Sequence, residues 1–146
     1  MKSELIYELT TVLKRKFKQD ILSVVLFGSI VKGTSTATSD IDVLVVSSAP
    51  MNDWRARDKL ILDLTEDIEL KYATPIHMII VNKDEISHAI ESVYPLMLEI
   101  YQTNEIIYDK ENFFKNILAD FKKNIHRWHA EKIEEGVWKI PGLAVI

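Results

Sequence analysis

The fold is decided by residues 24–46, VVLFGSIVKGTSTATSDIDVLVV. The pattern predicts an apolar strand that ends at Gly28 and Ser29, a loop rich in small and hydroxyl side chains, and a second apolar strand headed by Asp40 and Asp42. Side chains two residues apart on a strand point to the same face, so the two carboxylates can converge on one cation. The stretch therefore predicts a metal site beside a glycine turn.

The composition is that of one folded domain over residues 1–146. The 146 residues are 47% hydrophobic and 27% charged, which is ordinary for a globular chain. Because the sequence contains no cysteine, it can form neither a disulfide framework nor a thiolate zinc site. Any metal must then be held by oxygen or imidazole ligands, and oxygen ligands favour Mg²⁺.

Charge and hydropathy restrict the partners. The formal net charge of −4 argues against broad electrostatic binding to nucleic acid. No apolar run approaches the ~20 residues that cross a bilayer, and the amino terminus lacks the pattern of a signal peptide. We therefore expect a cytoplasmic protein whose partner is neither a membrane nor a nucleic acid.

Apolar periodicity predicts an alternation of helices and strands, and hence a single α/β or α+β domain. Ser3 is expected to cap the first helix, and Asn52 or Asp53 the second, on which Trp54 would face inward. Asn82 opens a capping box for the third. Helices are predicted over residues 3–17, 53–72, 83–93, 95–103 and 111–133, strands over residues 21–27, 41–46, 76–81 and 106–108, and a tail over residues 136–146 that folds back over the domain.

The central stretch has the parts of a phosphate site as well as a metal site. A glycine at position 28 lets the backbone approach a ligand closely. If the chain turns helical there, the free N–H groups near Ser29 and Ile30 form an anion site beside the metal held by Asp40 and Asp42. Together these parts describe a site for a magnesium-bound nucleoside triphosphate. The structural alternative is a turn followed by a strand cap, which an Asp-x-Asp pair alone would more often represent.

A resemblance to a known family rests on these residues. The segments LFGS at 26–29 and SDIDVLV at 39–45, with Gly33 between them, resemble the signature of the DNA polymerase beta-like nucleotidyltransferase superfamily, in its minimal single-domain branch. The similarity extends to PLMLEI at 95–100 and EIIYD at 105–109, so that it covers a core of about residues 3–109. The C-terminal helix and tail, residues 110–146, fit less specifically.

The resemblance implies a mixed sheet of about four strands flanked by helices, with a helix at the C-terminus. It also implies magnesium-dependent transfer of a nucleoside monophosphate from a nucleoside triphosphate, ATP being the first choice, to a hydroxyl group. Gly28 and Ser29 would hold the β and γ phosphates, and Asp40 and Asp42 would be the catalytic metal ligands. Lys32 stands where the family often has arginine and would add positive charge near the phosphates; the alternative is a solvated loop lysine.

The third predicted strand departs from the family pattern. Catalytic members commonly place a third carboxylate there, and the alignment puts His77 at that position. Neutral imidazole is a poorer magnesium ligand than aspartate, but it can act as a general base. His77 is thus a candidate metal ligand or base, weighed against a merely structural histidine. Glu69 and Glu85 are the nearest substitute carboxylates, although both are better explained as residues of helix surfaces.

Three functions follow from this pattern. The first is a nucleotidyltransferase whose acceptor is a hydroxyl of a small helical partner protein, as in the antitoxin-type component of a toxin–antitoxin module. The second is a catalytically weak or inactive module that binds a nucleotide or a partner, since His77 replaces the usual carboxylate. The third, transfer to a small molecule such as an aminoglycoside, ranks last because no added drug-binding segment is recognisable.

Overall fold

The computed structural model describes residues 2–35, 39–51, 53–128, 131–134 and 137–139, with the backbone alone from residue 128 onward. The helices are α1 (Lys2–Phe17), α2 (Ser29–Lys32), α3 (Trp54–Tyr72), α4 (Lys83–Glu91), α5 (Pro95–Gln102) and α6 (Phe113–Trp128). The strands are β1 (Ile21–Phe27), β2 (Ile41–Ser47), β3 (Ile76–Asn82), β4 (Glu105–Asp109), β5 (Glu131–Glu134) and β6 (Val137–Lys139). No helix in the described part is long and apolar enough to cross a membrane.

The first four strands form a mixed sheet in the order β3-β2-β1-β4. β1 pairs antiparallel with both β2 and β4, whereas β2 and β3 run parallel, with α3 as the crossover between them. Every residue of β1 is buried, as its nearly continuous apolar sequence predicts for an interior strand. The predicted α/β (α+β) class and four-stranded mixed sheet are confirmed.

The sheet separates two apolar cores because alternate residues of each strand point to opposite faces. On one face Val43 and Val45 of β2 pack with the buried stripes of α1 and α3. On the other face Leu44 and Val46 pack with α4, α5 and α6. Asp42 precedes Leu44 by two residues and so belongs to the second face.

Several predicted details are wrong at the ends of helices. Ser3 does not cap α1, because the helix already includes Lys2. Trp54, the first residue of α3, is 66% exposed rather than inward-facing, and the Arg55 guanidinium lies 5.4 Å from the centre of its ring. Asp53 caps α3 by accepting a hydrogen bond from the N–H of Arg55 at 2.9 Å. The alternative cap, Asn52, lies outside the described residues.

The end of the chain also differs from its prediction. α6 ends at Trp128 rather than continuing to residue 133, because β5 pairs antiparallel with β6 in a separate two-stranded sheet. Ile133, the predicted end of this helix, belongs to the hairpin. The predicted fold-back of the tail concerns residues 136–146, which apart from β6 lie outside the described residues.

Two predicted helix starts are confirmed by the structure. The side chain of Asn82 accepts from the N–H of Glu85 at 2.8 Å, and the Glu85 carboxylate accepts from the N–H of Asn82 at 2.9 Å, which is a complete capping box. Pro95 occupies the first turn of α5, where its missing N–H costs no hydrogen bond. The break between α4 and α5 therefore has the predicted cause.

The α1 and α3 helices are joined by a small polar cluster. Glu8 Oε1 accepts hydrogen bonds from Lys71 Nζ and, at 2.8 Å, from the Tyr72 hydroxyl. The Lys71 bond first, and the Tyr72 bond second, lower the pKa of Glu8. The pKa of Glu8 is therefore lower in the folded than in the unfolded protein. The stabilisation that the ionised Glu8 side chain provides is fully present above the unfolded pKa and is lost as the pH falls through the folded pKa.

Asp109 joins β1, β4 and α6 at one point. Its Oδ1 accepts from the buried Ser23 hydroxyl at 2.8 Å and from the N–H of Phe114 at 2.7 Å, and its Oδ2 accepts from the N–H of Lys115 at 3.1 Å. One carboxylate thereby satisfies a buried hydroxyl and two donors of the first turn of α6.

We expect Asp109→Ala to lower the free energy of unfolding by about 2–4 kcal/mol, because it leaves the buried hydroxyl and the helix cap unsatisfied. Urea unfolding measures the loss. Asp120→Ala, which removes an exposed carboxylate of the same helix α6, is the matched control. A loss below about 0.5 kcal/mol, the range of ordinary surface substitutions, would contradict the assigned role.

Candidate functional site

The candidate site lies at the end of the sheet where β1 finishes and β2 and β3 begin. Asp42 is the second residue of β2 and is paired by register with Phe27 of β1 and with His77 of β3. Asp40 immediately precedes β2 and is exposed, whereas Asp42 is partly buried. The topology thus brings Gly28, Asp42 and His77 together from three consecutive strands.

Gly28 lies close to the Asp42 side chain on this edge. Its backbone has φ 77° and ψ −156°, a conformation that is essentially restricted to glycine. A Cβ atom at this position would lie 2.2 Å from Asp42 Oδ2, well inside van der Waals contact. The glycine therefore serves two needs at once, since it turns the chain out of β1 and leaves room for the carboxylate.

The chain turns helical directly after Gly28, which is the condition on which the predicted anion site depended. In α2 the N–H groups of Val31 and Lys32 both donate to the Gly28 carbonyl at 3.1 Å, so those of Ser29 and Ile30 precede the first helical hydrogen bond. The short helix ends at Gly33, which adopts the left-handed conformation. The prediction of a loop over this part is corrected to a single helical turn.

His77 contacts Asp42 as the strand alignment predicts. Its Nδ1 lies 3.1 Å from Asp42 Oδ1, and its side chain is 61% exposed. The imidazole is therefore an exposed group beside a carboxylate, outside the apolar core. One oxygen of Asp42 faces His77, and the other faces Gly28.

Lys32 is held by a residue that the sequence did not single out. Its Nζ lies 3.6 Å from Glu99 Oε2, which ties α2 to α5. The other oxygen, Glu99 Oε1, is buried and has no hydrogen-bond partner among the described residues. Because the two residues are remote in sequence and belong to different helices, only the tertiary fold reveals the pair. Lys32 thus lies in a helical turn rather than in a loop, and its exposed side chain is paired with Glu99.

The substitute carboxylates considered for the third strand are used elsewhere. Glu69 Oε2 accepts a hydrogen bond from the N–H of Ile76 at 2.8 Å, which fixes the start of β3. Glu85 closes the capping box and also receives both of its Arg57 hydrogen bonds, at 2.9 and 3.0 Å. Both are structural, in agreement with the interpretation from sequence.

The carboxylates of the site suit a metal ion that binds together with the phosphates of its substrate. Among the described residues no three histidine and acidic side chains are grouped closely enough to hold an ion by themselves. Mg²⁺ in phosphate-handling sites typically takes one or two carboxylates and completes its shell with water and substrate phosphates. Asp40 and Asp42, beside a turn whose N–H groups suit phosphate, meet that requirement.

Comparisons with known proteins identify relatives of this chain by sequence. A family model of nucleotidyltransferase domains matches residues 6–136. A proposed protein adenylyltransferase of Methanocaldococcus jannaschii is 36% identical over 131 residues, which make up 89% of this chain and 88% of that protein.

Two solved structures share the fold at low sequence identity. One, a toxin–antitoxin with AMP-PNP, has a TM-score of 0.55 at 16% identity and is covered over 88% of both chains. The other, a spectinomycin adenyltransferase from Enterococcus faecialis with ATP and spectinomycin, has a TM-score of 0.61 at 19% identity, over 86% of this chain and 64% of that one. At these identities the two structures establish the common fold.

Proposed function

The chain belongs to the nucleotidyltransferase domain family, and on that premise we propose that it is a magnesium-dependent enzyme that transfers AMP from ATP to a hydroxyl of a partner protein. The observation that carries the proposal is the close approach of Gly28 to Asp42, at which a Cβ atom would fall 2.2 Å from the carboxylate. A fold held together by apolar packing has no need of this contact. A phosphate chain bound beside metal-ligating carboxylates does need it.

The phosphates are proposed to bind where α2 begins. The N–H groups of Ser29 and Ile30 would donate to the β and γ phosphates, and the Ser29 hydroxyl would add a third donor. Lys32 supplies positive charge from the same helical turn, and Glu99 restricts where its ammonium group can lie.

Asp40 and Asp42 are the proposed metal ligands, and Mg²⁺ suits their oxygen chemistry. When bound, the ion neutralises phosphate charge and polarises the α phosphorus toward attack. Asp42 is the better oriented of the two, since Gly28 and His77 confine its oxygens from two sides. The acceptor hydroxyl attacks the α phosphorus, the bond to the bridging oxygen of pyrophosphate breaks, and pyrophosphate leaves.

His77 is proposed to serve the acceptor side of the site. Its imidazole contacts Asp42 and remains largely exposed, so it can both orient that carboxylate and accept a proton from an incoming hydroxyl. The same substitution of imidazole for carboxylate also supports a second candidate, a module that binds ATP or a partner without turnover. Magnesium would then be held by Asp40 and Asp42 with no catalytic consequence.

Replacing His77 separates these two functions. For the transferase we expect His77→Ala to reduce the transfer rate by about 10²-fold, the lower end of a general base's contribution, while binding of Mg-ATP stays within about threefold. Single-turnover kinetics and calorimetry measure the two quantities. For the binding module, wild type would show no transfer, and His77→Asp, which restores a carboxylate, would create it. His126→Ala, an exposed histidine of α6, is the control.

The protein acceptor is supported by two of the relatives. The Methanocaldococcus jannaschii protein is itself a proposed protein adenylyltransferase, and one structural neighbour is a toxin–antitoxin. The test is to incubate the protein with ATP, Mg²⁺ and the product of the adjacent gene, and then to measure intact masses. We expect that partner to gain one AMP with wild type and none with Asp42→Asn. An unchanged mass with all four nucleoside triphosphates would count heavily against a protein acceptor.

A further inference from the structure

A cavity opens on the same face of the sheet as Asp42. It has a volume of about 430 Å³ and lies between β3, α4 and the beginning of α5. Its walls are mainly apolar and include Leu44, Ile79, Ala89 and Met97, with the exposed ring of Tyr94 at its edge. Its size falls within the range of small-molecule sites, which are apolar with a few polar groups.

The register of the sheet connects this cavity to the candidate site. Leu44 follows Asp42 by two residues on β2, and Ile79 follows His77 by two residues on the parallel strand β3. Two residues along a strand span about 7 Å and return to the same face. The cavity therefore continues the surface on which Asp42 and His77 lie.

The polar residues that line the cavity are Glu85, His88 and Tyr94, and they suit a ligand without net charge. Both carboxylate oxygens of Glu85 accept hydrogen bonds from Arg57, so the guanidinium balances its negative charge. Tyr94 is 57% exposed, and it follows Val93, a buried residue held at φ 52°. A left-handed conformation is unfavourable for a β-branched residue, so the fold stores strain directly before the ring at the edge of the cavity.

We propose that this cavity receives the base of the nucleotide whose phosphates bind at Gly28 and Ser29. The inference rests on the proposed function and adds the position of the base to it. A protein partner is the less suitable occupant, because protein interfaces bury about 800 Å² per side over broad surfaces rather than filling one small cavity. A base stacked on Tyr94 and enclosed by Ile79 and Ala89 would use the apolar walls.

The experiment compares Mg-ATP with Mg-tripolyphosphate, which carries the phosphates without the nucleoside. By calorimetry we expect wild type to bind Mg-ATP at least about fivefold more tightly, the lower end of the effect of stacking one base. Ala89→Trp fills the cavity and should remove that difference while tripolyphosphate binding stays within twofold. Ala56→Trp, which adds the same ring to an exposed position of α3 on the other face, should leave both affinities unchanged.

A second pair of variants covers the case in which Ala89→Trp does not fold. Tyr94→Ala removes an exposed ring and should weaken Mg-ATP about fivefold without affecting tripolyphosphate, whereas Tyr7→Ala, an exposed tyrosine of α1, should affect neither. Equal affinity of wild type for the two ligands, or Mg-ATP binding that neither cavity variant changes, would overturn the position of the base alone. If wild type binds neither Mg-ATP nor Mg-tripolyphosphate, both the position of the base and the proposed function are overturned.

Discussion

Gly28→Ala is expected to abolish nucleotide transfer and to lower the free energy of unfolding. The backbone at this position has φ 77° and ψ −156°, which costs a non-glycine residue about 1–3 kcal/mol. The new methyl group would also lie 2.2 Å from Asp42 Oδ2, so the carboxylate must move away from the position at which we expect it to bind metal. Transfer assays and urea unfolding, made on the same preparation, measure the two effects.

Gly33 offers a matched control for this prediction. Its φ of 76° is nearly that of Gly28, but a Cβ atom there would meet nothing within 4 Å. Gly33→Ala should therefore cost stability of about 1–2 kcal/mol from the backbone while most of the transfer activity remains. If both variants lose activity to the same extent, the contact between Gly28 and Asp42 has no special part in the reaction.

Asp42→Asn and Asp40→Asn are expected to reduce transfer by about 10²–10³-fold each. The change keeps the shape of the side chain and removes the charge that binds the metal, and metal stabilisation of phosphate charge is worth several kcal/mol. Stability should change little, because Asp40 is exposed and Asp42 only partly buried. Release of pyrophosphate from ATP at saturating Mg²⁺ measures the effect.

The matched control is Asp63→Asn, the same chemical change on the exposed surface of α3. It should leave both transfer and stability within error of wild type. Full activity in Asp42→Asn would mean that the carboxylate at the centre of the site is not a metal ligand. The family membership would then remain, but the assignment of the site would be wrong.

Much of the fold was predictable because its signals are local. The run of apolar residues in β1 can be satisfied only by burial on both faces, and the spacing of Asn82 and Glu85 specifies a helix start through their own hydrogen bonds. The segment that begins at Gly28 was recognisable for the same reason, since glycine, serine and the two aspartates stand at a fixed interval. The resemblance then predicted a mixed sheet of about four strands.

What sequence reasoning missed depends on contacts between distant segments. The pairing of Lys32 with Glu99 joins two helices and leaves no trace in local spacing. Trp54 fits an inward stripe by periodicity, but periodicity does not show where the neighbouring elements end, and its ring is largely exposed. The predicted end of α6 at Ile133 was wrong for the same reason, because the backbone there forms a strand of a hairpin.

The position of His77 was predictable from the sequence, but its contacts were not. The strand alignment predicted that it would stand beside Asp42, and the parallel register of β2 and β3 places it there. Its exposure and its contact of 3.1 Å with the carboxylate could not be read from the sequence, and they are what makes a role in the reaction worth testing.

The central claim is that Asp40 and Asp42 bind a metal-bound triphosphate at the Gly28 turn. Calorimetric titration of Mg-ATP into wild type and into the double variant Asp40→Asn, Asp42→Asn tests it most directly. We expect saturable binding to wild type that disappears when Mg²⁺ is chelated and falls at least about a hundredfold in the double variant. Equal binding of Mg-ATP to both proteins, or no binding to wild type, would contradict the claim.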